Sequence, residues 1–202
     1  AREERWDALV LPHGAAGSVD GLPQGAVVGT GSPRRRAQLL RLRPDLRFAE
    51  ARGNVGTRLE KLDAGEFHAL ILAEAGLKRL DLAGRISKRL DAEILPAVGQ
   101  GALGVECRSD DPAVSQLVPL NCPIARRETD AERACLNRLG AGCHAPVGVR
   151  AEVTGDDVTL TATLLSPDGR TALTATARGS ESVTAGATVA EVLLKQGGAE
   201  LL

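Results

Sequence analysis

Ala26-Val27-Val28-Gly29-Thr30-Gly31-Ser32-Pro33-Arg34-Arg35-Arg36-Ala37-Gln38-Leu39-Leu40-Arg41-Leu42 reads as a strand, a glycine turn and a helix in one continuous run. Ser32 carries a hydroxyl suited to capping the helix, and Pro33 suits its first position, where a backbone N–H has no partner to lose. Ala37, Leu39, Leu40 and Leu42 supply the apolar positions, and Pro44 stops the helix. The same pattern extends in both directions. Asp7–Leu11 reads as a short strand upstream. Downstream come a strand over Leu46–Glu50, a helix over Val55–Asp63 ended by Gly65, a buried strand over His68–Ala73, and helical segments over Ala75–Leu80 and Leu82–Leu90. Strands alternating with helices over residues 7–96 predict an α/β unit: a mostly parallel sheet with helices on both faces.

Leu95-Pro96-Ala97-Val98-Gly99-Gln100-Gly101-Ala102 interrupts this pattern, and the glycines on either side of Gln100 suggest a hinge or a close backbone approach. Ala102–Cys107 reads as one more strand. A charged helix over Ile124–Leu139 leads into the loop Gly140-Ala141-Gly142-Cys143-His144-Ala145-Pro146. Strands follow near Val147–Val153, Val158–Leu165 and Thr171–Arg178. Ser166-Pro167-Asp168-Gly169 forms a hairpin turn, and Val189–Leu194 is the core of a last helix. Residues 121–202 are thus expected to form a small α+β domain.

The composition narrows the function. Of 202 residues, 43% are hydrophobic and 25% charged, with a net charge of -1. That balance suits a globular chain and argues against a nucleic-acid partner held by bulk charge. Only four residues are lysine, so the cationic side chains are nearly all arginine. Arginine binds carboxylates with a planar fork and does not lose its charge. The sequence contains neither an apolar run of membrane-spanning length nor a signal-peptide pattern, which points to a cytoplasmic protein with no membrane partner. Cys107, Cys122, Cys135 and Cys143 form no C-x-x-C pair, so no metal site is expected and reduced thiols fit the cytosol. There is no methionine, and the chain opens mid-phrase on Ala1-Arg2-Glu3-Glu4-Arg5, which reads as part of a longer polypeptide.

Two arginine-bearing turns stand out. Thr30 and Ser32 lie where a strand meets a helix, a place that binds anions through free N–H groups. Arg34 and Arg35 in that first helical turn oppose the macrodipole, a local cost that an anionic ligand would offset. The residues also allow these arginines to splay into solvent. Arg52-Gly53-Asn54-Val55-Gly56-Thr57-Arg58 follows the next strand. Ligands of open parallel sheets bind outside the carboxyl ends of strands, so Arg34, Arg35, Arg52 and Arg58 are expected to converge on one crevice. Arg79, at a third strand–helix junction, is a weaker candidate. Cys143 sits in a glycine-flanked loop, where a thiol is little covered. It is either a covalent handle or an incidental loop cysteine. His68 opens an apolar strand and reads as structural, His144 reads as a bystander, and His13 has no informative context.

Four blocks taken together resemble the porphobilinogen deaminase (hydroxymethylbilane synthase) family. They are Val28-Gly29-Thr30-Gly31-Ser32-Pro33-Arg34-Arg35, Arg52-Gly53-Asn54-Val55-Gly56-Thr57-Arg58-Leu59, Leu95–Ala102 and Gly142-Cys143-His144-Ala145-Pro146-Val147-Gly148. The resemblance implies a three-domain protein whose first two domains resemble the lobes of periplasmic binding proteins. On that pattern residues 1–6 are a remnant of domain 1 and residues 7–96 form domain 2. Residues 97–120 are a hinge and return segment, and residues 121–202 form domain 3 with the cofactor cysteine. It implies a transferase of porphyrin and haem biosynthesis, with porphobilinogen and a growing oligopyrrole as its partners and a monomeric state when complete. Four porphobilinogens are joined head to tail with loss of ammonia, primed by a dipyrromethane cofactor attached covalently through a thioether to Cys143. Thr30, Ser32, Arg34, Arg35, Arg52, Gly53, Arg58 and Gln100 would contact the cofactor. Arg34, Arg35, Arg52, Arg58 and Arg79 would hold the acetate and propionate groups of substrate and chain.

This chain departs from the family in one major respect. The family carries a His-Ser-x-Lys-Asp type segment whose aspartate supports the positive charge of catalysis, and nothing like it occurs in these residues. The chain begins near the crossover between the first two domains, so the catalytic acid is expected to be missing and the 202-residue chain inactive alone. Ala141 stands where a glycine is common. A non-catalytic anion-binding module of periplasmic-binding-protein type is the alternative, although it gives no reason for Cys143. A cysteine-nucleophile hydrolase would need a base and an oxyanion site that the sequence does not offer.

Overall fold

A computed structural model describes residues 1–142 and 145–202. The first sheet contains β1 (Asp7–Val10), β2 (Val27–Gly29), β3 (Arg47–Ala49), β4 (Ala69–Ala73) and β5 (Lys88–Arg89), in the spatial order β3-β2-β4-β1-β5. β2 pairs in parallel with β3 and β4, while β1 runs antiparallel to both β4 and β5. Four strands therefore share one direction and β1 alone opposes them, a mostly parallel sheet as expected.

Strand alternation builds two cores. Leu9, Val28, Ala69 and Ile71 face one side, where α1 (Pro33–Leu42) covers them with Leu39. Ala8, Val10, Leu70 and Leu72 face the other side, against Leu59 and Leu62 of α2 (Val55–Asp63) and Leu77 of α3 (Glu74–Arg79). The helices lie on both faces. Local chemistry sets their ends. Ser32 caps α1 by accepting from the Arg35 N–H, and Asn54 caps α2 by accepting from the Thr57 N–H.

Two expected elements are different in the structure. Leu82–Leu90 is not helical. Asp81 has a left-handed φ of 57°, which ends α3, and a short 3-10 turn at Ala83–Arg85 follows. The Ser87 N–H then donates to Leu9 O and the Leu90 N–H to Asp7 O, so the open edge of β1 recruits this segment as β5. Sheet pairing outweighs the local helical pattern there. Ala102–Cys107 is not a strand either. The Ala102 N–H closes a turn on Gly99 O at 3.0 Å, no strand of the described residues pairs with the segment, and Leu103 and Val105 are 77% and 64% exposed. A short helix, α4 (Val114–Leu117), lies beyond it, where none was expected.

The carboxy-terminal part packs α5 (Pro123–Leu139) and α6 (Ser182–Lys195) on an antiparallel sheet of β6 (Val147–Thr154), β7 (Asp157–Leu165) and β8 (Ala172–Gly179). Ala131, Cys135, Val149, Leu160, Ala162, Val189 and Leu193 are the centre of its core. The two helices approach closely because Gly186 of α6 has no side chain. A Cβ at that position would lie 2.2 Å from Ala131 O. Burial pushes the Cys135 thiol up to about 12, so it behaves as a packing residue.

This part docks on the first sheet through α1 and residues 94–100. Buried Gln38 exchanges two hydrogen bonds with Leu95, accepting from its N–H at 2.7 Å and donating to its carbonyl at 3.1 Å. The Val149 N–H donates to Pro96 O at 2.9 Å. The guanidinium of Arg150 stacks 5.0 Å from the centre of the Trp6 ring, joining β6 to the residue just before β1.

Candidate functional site

Thr30–Pro33 and Glu50–Gly53 leave the carboxyl ends of the parallel strands β2 and β3 side by side. Between them lies an open crevice of about 530 Å³, lined by Ser32, Arg35, Glu50, Arg52, Gly53 and Arg58 among others. Its position follows the rule that open α/β sheets bind ligands beyond the carboxyl ends of their strands.

Each wall is held by local chemistry. The Thr30 N–H donates to Ala49 O at 2.9 Å, which clamps the two turns together. Thr30 Oγ1 accepts from the Ser32 N–H at 3.2 Å, and Ser32 Oγ accepts from the Arg35 N–H at 3.4 Å. The two hydroxyl oxygens thus organise the turn, with Thr30 itself buried beneath it. Gly53 has a φ of 108°, and a Cβ there would lie 3.0 Å from the Thr57 side chain. Only glycine lets the chain turn into α2 at that point without strain. The resulting carbonyl of Gly53 accepts from Arg58 Nε at 2.8 Å, which holds the first turn of α2 and its guanidinium against the crevice.

Of the four arginines expected to converge, three do: Arg35, Arg52 and Arg58 line the crevice. Arg34 does not. It is 5% exposed and turns away to donate to Asp7 Oδ2 at 2.7 Å, to Leu95 O at 2.6 Å and to Gln100 Oε1 at 3.4 Å. Neighbouring residues of a helix point about 100° apart, and Asp7 and the Leu95 carbonyl hold Arg34 on the buried side while Arg35 reaches the crevice. Gln100 meets the same buried group, donating to Asp7 Oδ1 at 3.0 Å and to Arg5 O at 2.6 Å. Arg79 is separate from the crevice and donates to Gly101 O at 2.9 Å. Cys143 and His144 lie outside the described residues. His68 is structural as expected, with Nδ1 accepting from the Val27 N–H at 3.1 Å.

Asp7 was not singled out in the sequence, yet it organises the floor of the site. It is 1% exposed. Oδ1 accepts from Arg35 Nε at 2.9 Å and Nη2 at 2.7 Å, while Oδ2 accepts from Arg34. Arg35 Nη1 donates to Ile71 O at 3.0 Å, which leaves two of its five N–H groups for the crevice. Burial acts to raise the Asp7 carboxyl, but Arg35 and Arg34 outweigh it and hold the group below the usual carboxylate range. Burial likewise pulls the Arg34 guanidinium down while Asp7 pushes it back up, and it stays charged because arginine starts so high. One sign was legible: Asp7 opens the fully buried strand DALV, and an acid in such a place requires partners. Glu50, the one acid in the crevice wall, was also missed.

A second buried network continues from Gln100 into α5. Arg2 Nε donates to Gln100 O at 3.0 Å, and its other two nitrogens reach Glu132 at 2.9 and 3.0 Å. Arg5 Nη2 donates to both oxygens of Glu128 at 2.9 Å. Arg35, of the crevice arginines, is therefore linked to α5 through Asp7, Gln100, Arg2 and Glu132 by a buried series of charge-assisted hydrogen bonds.

Comparison with known proteins adds two kinds of likeness. A family model described as porphobilinogen deaminase, dipyromethane cofactor binding domain, matches residues 1–116, and one described as porphobilinogen deaminase, C-terminal domain, matches residues 127–195. Among solved structures, the chain is similar to a periplasmic binding protein of Salmonella typhimurium studied for its high arginine specificity. That likeness has 17% identity and a TM-score of 0.34, and it covers 59% of this chain and 56% of that one, so the match spans little more than half of that relative.

Proposed function

The chain belongs to the porphobilinogen deaminase family, and from that premise we propose that it carries the cofactor-holding and chain-holding machinery of hydroxymethylbilane synthase. In this reading four porphobilinogens are condensed head to tail, each losing ammonia, on a dipyrromethane primer bound through a thioether to Cys143. Residues 7–96 act as the anion-binding lobe, residues 97–120 as hinge and return segment, and residues 121–202 as the domain bearing the cysteine.

The observation that carries the reading is the convergence of Arg35, Arg52 and Arg58 on one crevice, within the stretch matched by the family's cofactor-binding domain. The residues fit the group. A dipyrromethane made from two porphobilinogens bears acetate and propionate side chains, and three guanidinium forks suit carboxylates at any physiological pH. When bound, the cofactor supplies the free pyrrole carbon to which the first substrate is joined. The chain's own residues bind and orient: Arg35, Arg52 and Arg58 take carboxylates, the Ser32 turn shapes the wall, and Gly53 lets a ligand approach the backbone. Arg34 and Gln100 act one layer deeper, holding Asp7 and through it Arg35. Arg79 contributes through the Gly101 carbonyl at the hinge.

The test is the intact mass of the protein after incubation with porphobilinogen in the complete enzyme. An increment equal to two condensed porphobilinogens, retained through denaturation, is expected on the parent protein and on Cys107→Ser, and is expected to disappear in Cys143→Ser. Retention of the increment in Cys143→Ser would overturn the attachment site. Complete absence of an increment would favour the non-catalytic anion-binding module.

Asp7 is unsuited to the role of catalytic acid, because both its oxygens are committed to arginines and it is held ionised. The 202 residues contain no His-Ser-x-Lys-Asp segment. A positioned acid or base commonly contributes about 10²–10⁴-fold in rate. Residues 1–202 on their own are therefore expected to form no measurable bilane, assayed as uroporphyrin after acid oxidation. Rates like those of a complete enzyme would show that the catalytic group lies among these residues.

A further inference from the structure

Glu50 shares the crevice wall with Arg35, Arg52 and Arg58 and is the single acid among its lining residues. It flanks buried Ala51 on one side, as Arg52 does on the other. Residues two apart in extended chain lie on the same side. Glu50 Oε2 accepts from Arg52 Nε at 2.6 Å and lies 2.6 Å from Nη2. That edge of the guanidinium is one with which arginine grips a carboxylate side-on. The chain's own carboxylate therefore occupies a place that an incoming carboxylate would take.

The other crevice arginines are held differently. Asp7 grips Arg35 from the buried side, with a side chain that has no solvent exposure, and Arg58 donates to a backbone carbonyl. The Arg52–Glu50 pair is open, with side chains 85% and 63% exposed. An open pair exchanges partners at little desolvation cost, because both groups are solvated with or without each other. The buried pair around Asp7 cannot do this.

We infer that Glu50 is a built-in competitor at this crevice, a residue that neutralises Arg52 in the empty site and must be displaced by an incoming carboxylate. The inference rests on the reading of the crevice as a carboxylate site. In the empty crevice Glu50 relieves repulsion among three nearby guanidinium groups. In the filled crevice it remains as a negative charge beside an anionic ligand. On both counts it weakens binding of carboxylates at Arg52.

The experiment follows the arginine Nε–H resonances of the 202-residue chain during titration with propane-1,2,3-tricarboxylate, a probe with three carboxylates and no amine. Glu50→Gln keeps the side chain's size and removes its charge, and its exposed position should leave folding unchanged. It is expected to tighten the dissociation constant about two- to fivefold at low salt, the range that open ion pairs support. The gain should shrink at high salt, where exposed charges are screened, and vanish when Arg52→Ala is also present. Equal constants for the parent chain and Glu50→Gln, with the Arg52 signal still responding, would overturn the competitor while leaving the crevice intact. Weaker binding by Glu50→Gln would overturn it too and make Glu50 a ligand contact. No response at Arg35, Arg52 or Arg58 in either chain would bring down the carboxylate crevice itself, and this inference with it.

Discussion

Replacing Asp7 with Ala is expected to remove about 3–5 kcal/mol of folding stability, the penalty for leaving a buried charge without its partner. The stranded charge is Arg34, 5% exposed on α1, which keeps only Leu95 O and a long contact to Gln100. Arg35 loses both bonds that orient its fork, so any protein that still folds should show weakened anion binding at the crevice as well. Urea unfolding followed by circular dichroism checks the first effect. Asp7→Asn provides the milder comparison, because it keeps an acceptor for one of the two arginines. The sign of the pH dependence follows from the shift. Burial acts to raise the Asp7 carboxyl, Arg35 and Arg34 lower it more, and the folded value lies below the unfolded one. Its stabilisation is therefore complete above the unfolded carboxyl value of about 3.9 and is lost as pH falls through the lower folded value. Below about pH 4 the parent chain should lose stability more steeply than Asp7→Asn. An unchanged urea midpoint in Asp7→Ala would show that the two arginines find other partners.

The second large effect is expected at Glu132, whose side chain has no solvent exposure. Its carboxylate accepts from Arg2 at 2.9 and 3.0 Å, from the Gly99 N–H at 2.7 Å and from the Ala151 N–H at 3.3 Å. One group thus ties together the start of the chain, the Gln100 segment, β6 and α5. Glu132→Ala takes two carboxylate bonds from buried Arg2 and leaves it one at 3.3 Å to Glu128, so the loss there falls below the about 3–5 kcal/mol of a fully stranded charge, and it adds two unsatisfied N–H groups at about 1–3 kcal/mol each. Because the severed contacts link two separately cored units, the thermal transition should also split, with residues around the first sheet and the carboxy-terminal sheet melting apart. Glu132→Gln should lose less, since an amide oxygen still serves one N–H donor. A single transition at an unchanged midpoint in Glu132→Ala would mean that the units are held together elsewhere.

These two carboxylates mark the boundary of what could be read from sequence. Local grammar was legible where a cap, a breaker or an apolar run marked it. Ser32 caps the helix whose start it announces, Val55–Asp63 is helical throughout, and the alternation in Asp7–Val10 and Ala69–Ala73 sorts side chains onto two faces. The crevice was legible in part, because strand ends and arginine-bearing turns coincide in sequence as well as in space. What escaped depends on neighbours remote in the chain. Lys88–Arg89 becomes a strand because β1, some eighty residues earlier, has an open edge for it. Arg34 leaves the crevice because Asp7 lies behind it. Glu50 was hidden for a simpler reason: an acid beside a cluster of arginines reads as ordinary charge balance until its oxygen is seen on the Arg52 fork.

Trp6 is the single tryptophan, and the chain has no tyrosine. Its ring lies under the Arg150 guanidinium, at the seam between the first sheet and β6. The intrinsic near-ultraviolet emission of this protein therefore originates at one place, and that place is where its two sheets meet. Opening of the seam would free the indole from its cationic neighbour and wet it, shifting colour and intensity without any attached dye. The molecule carries its own optical gauge of how its parts are seated.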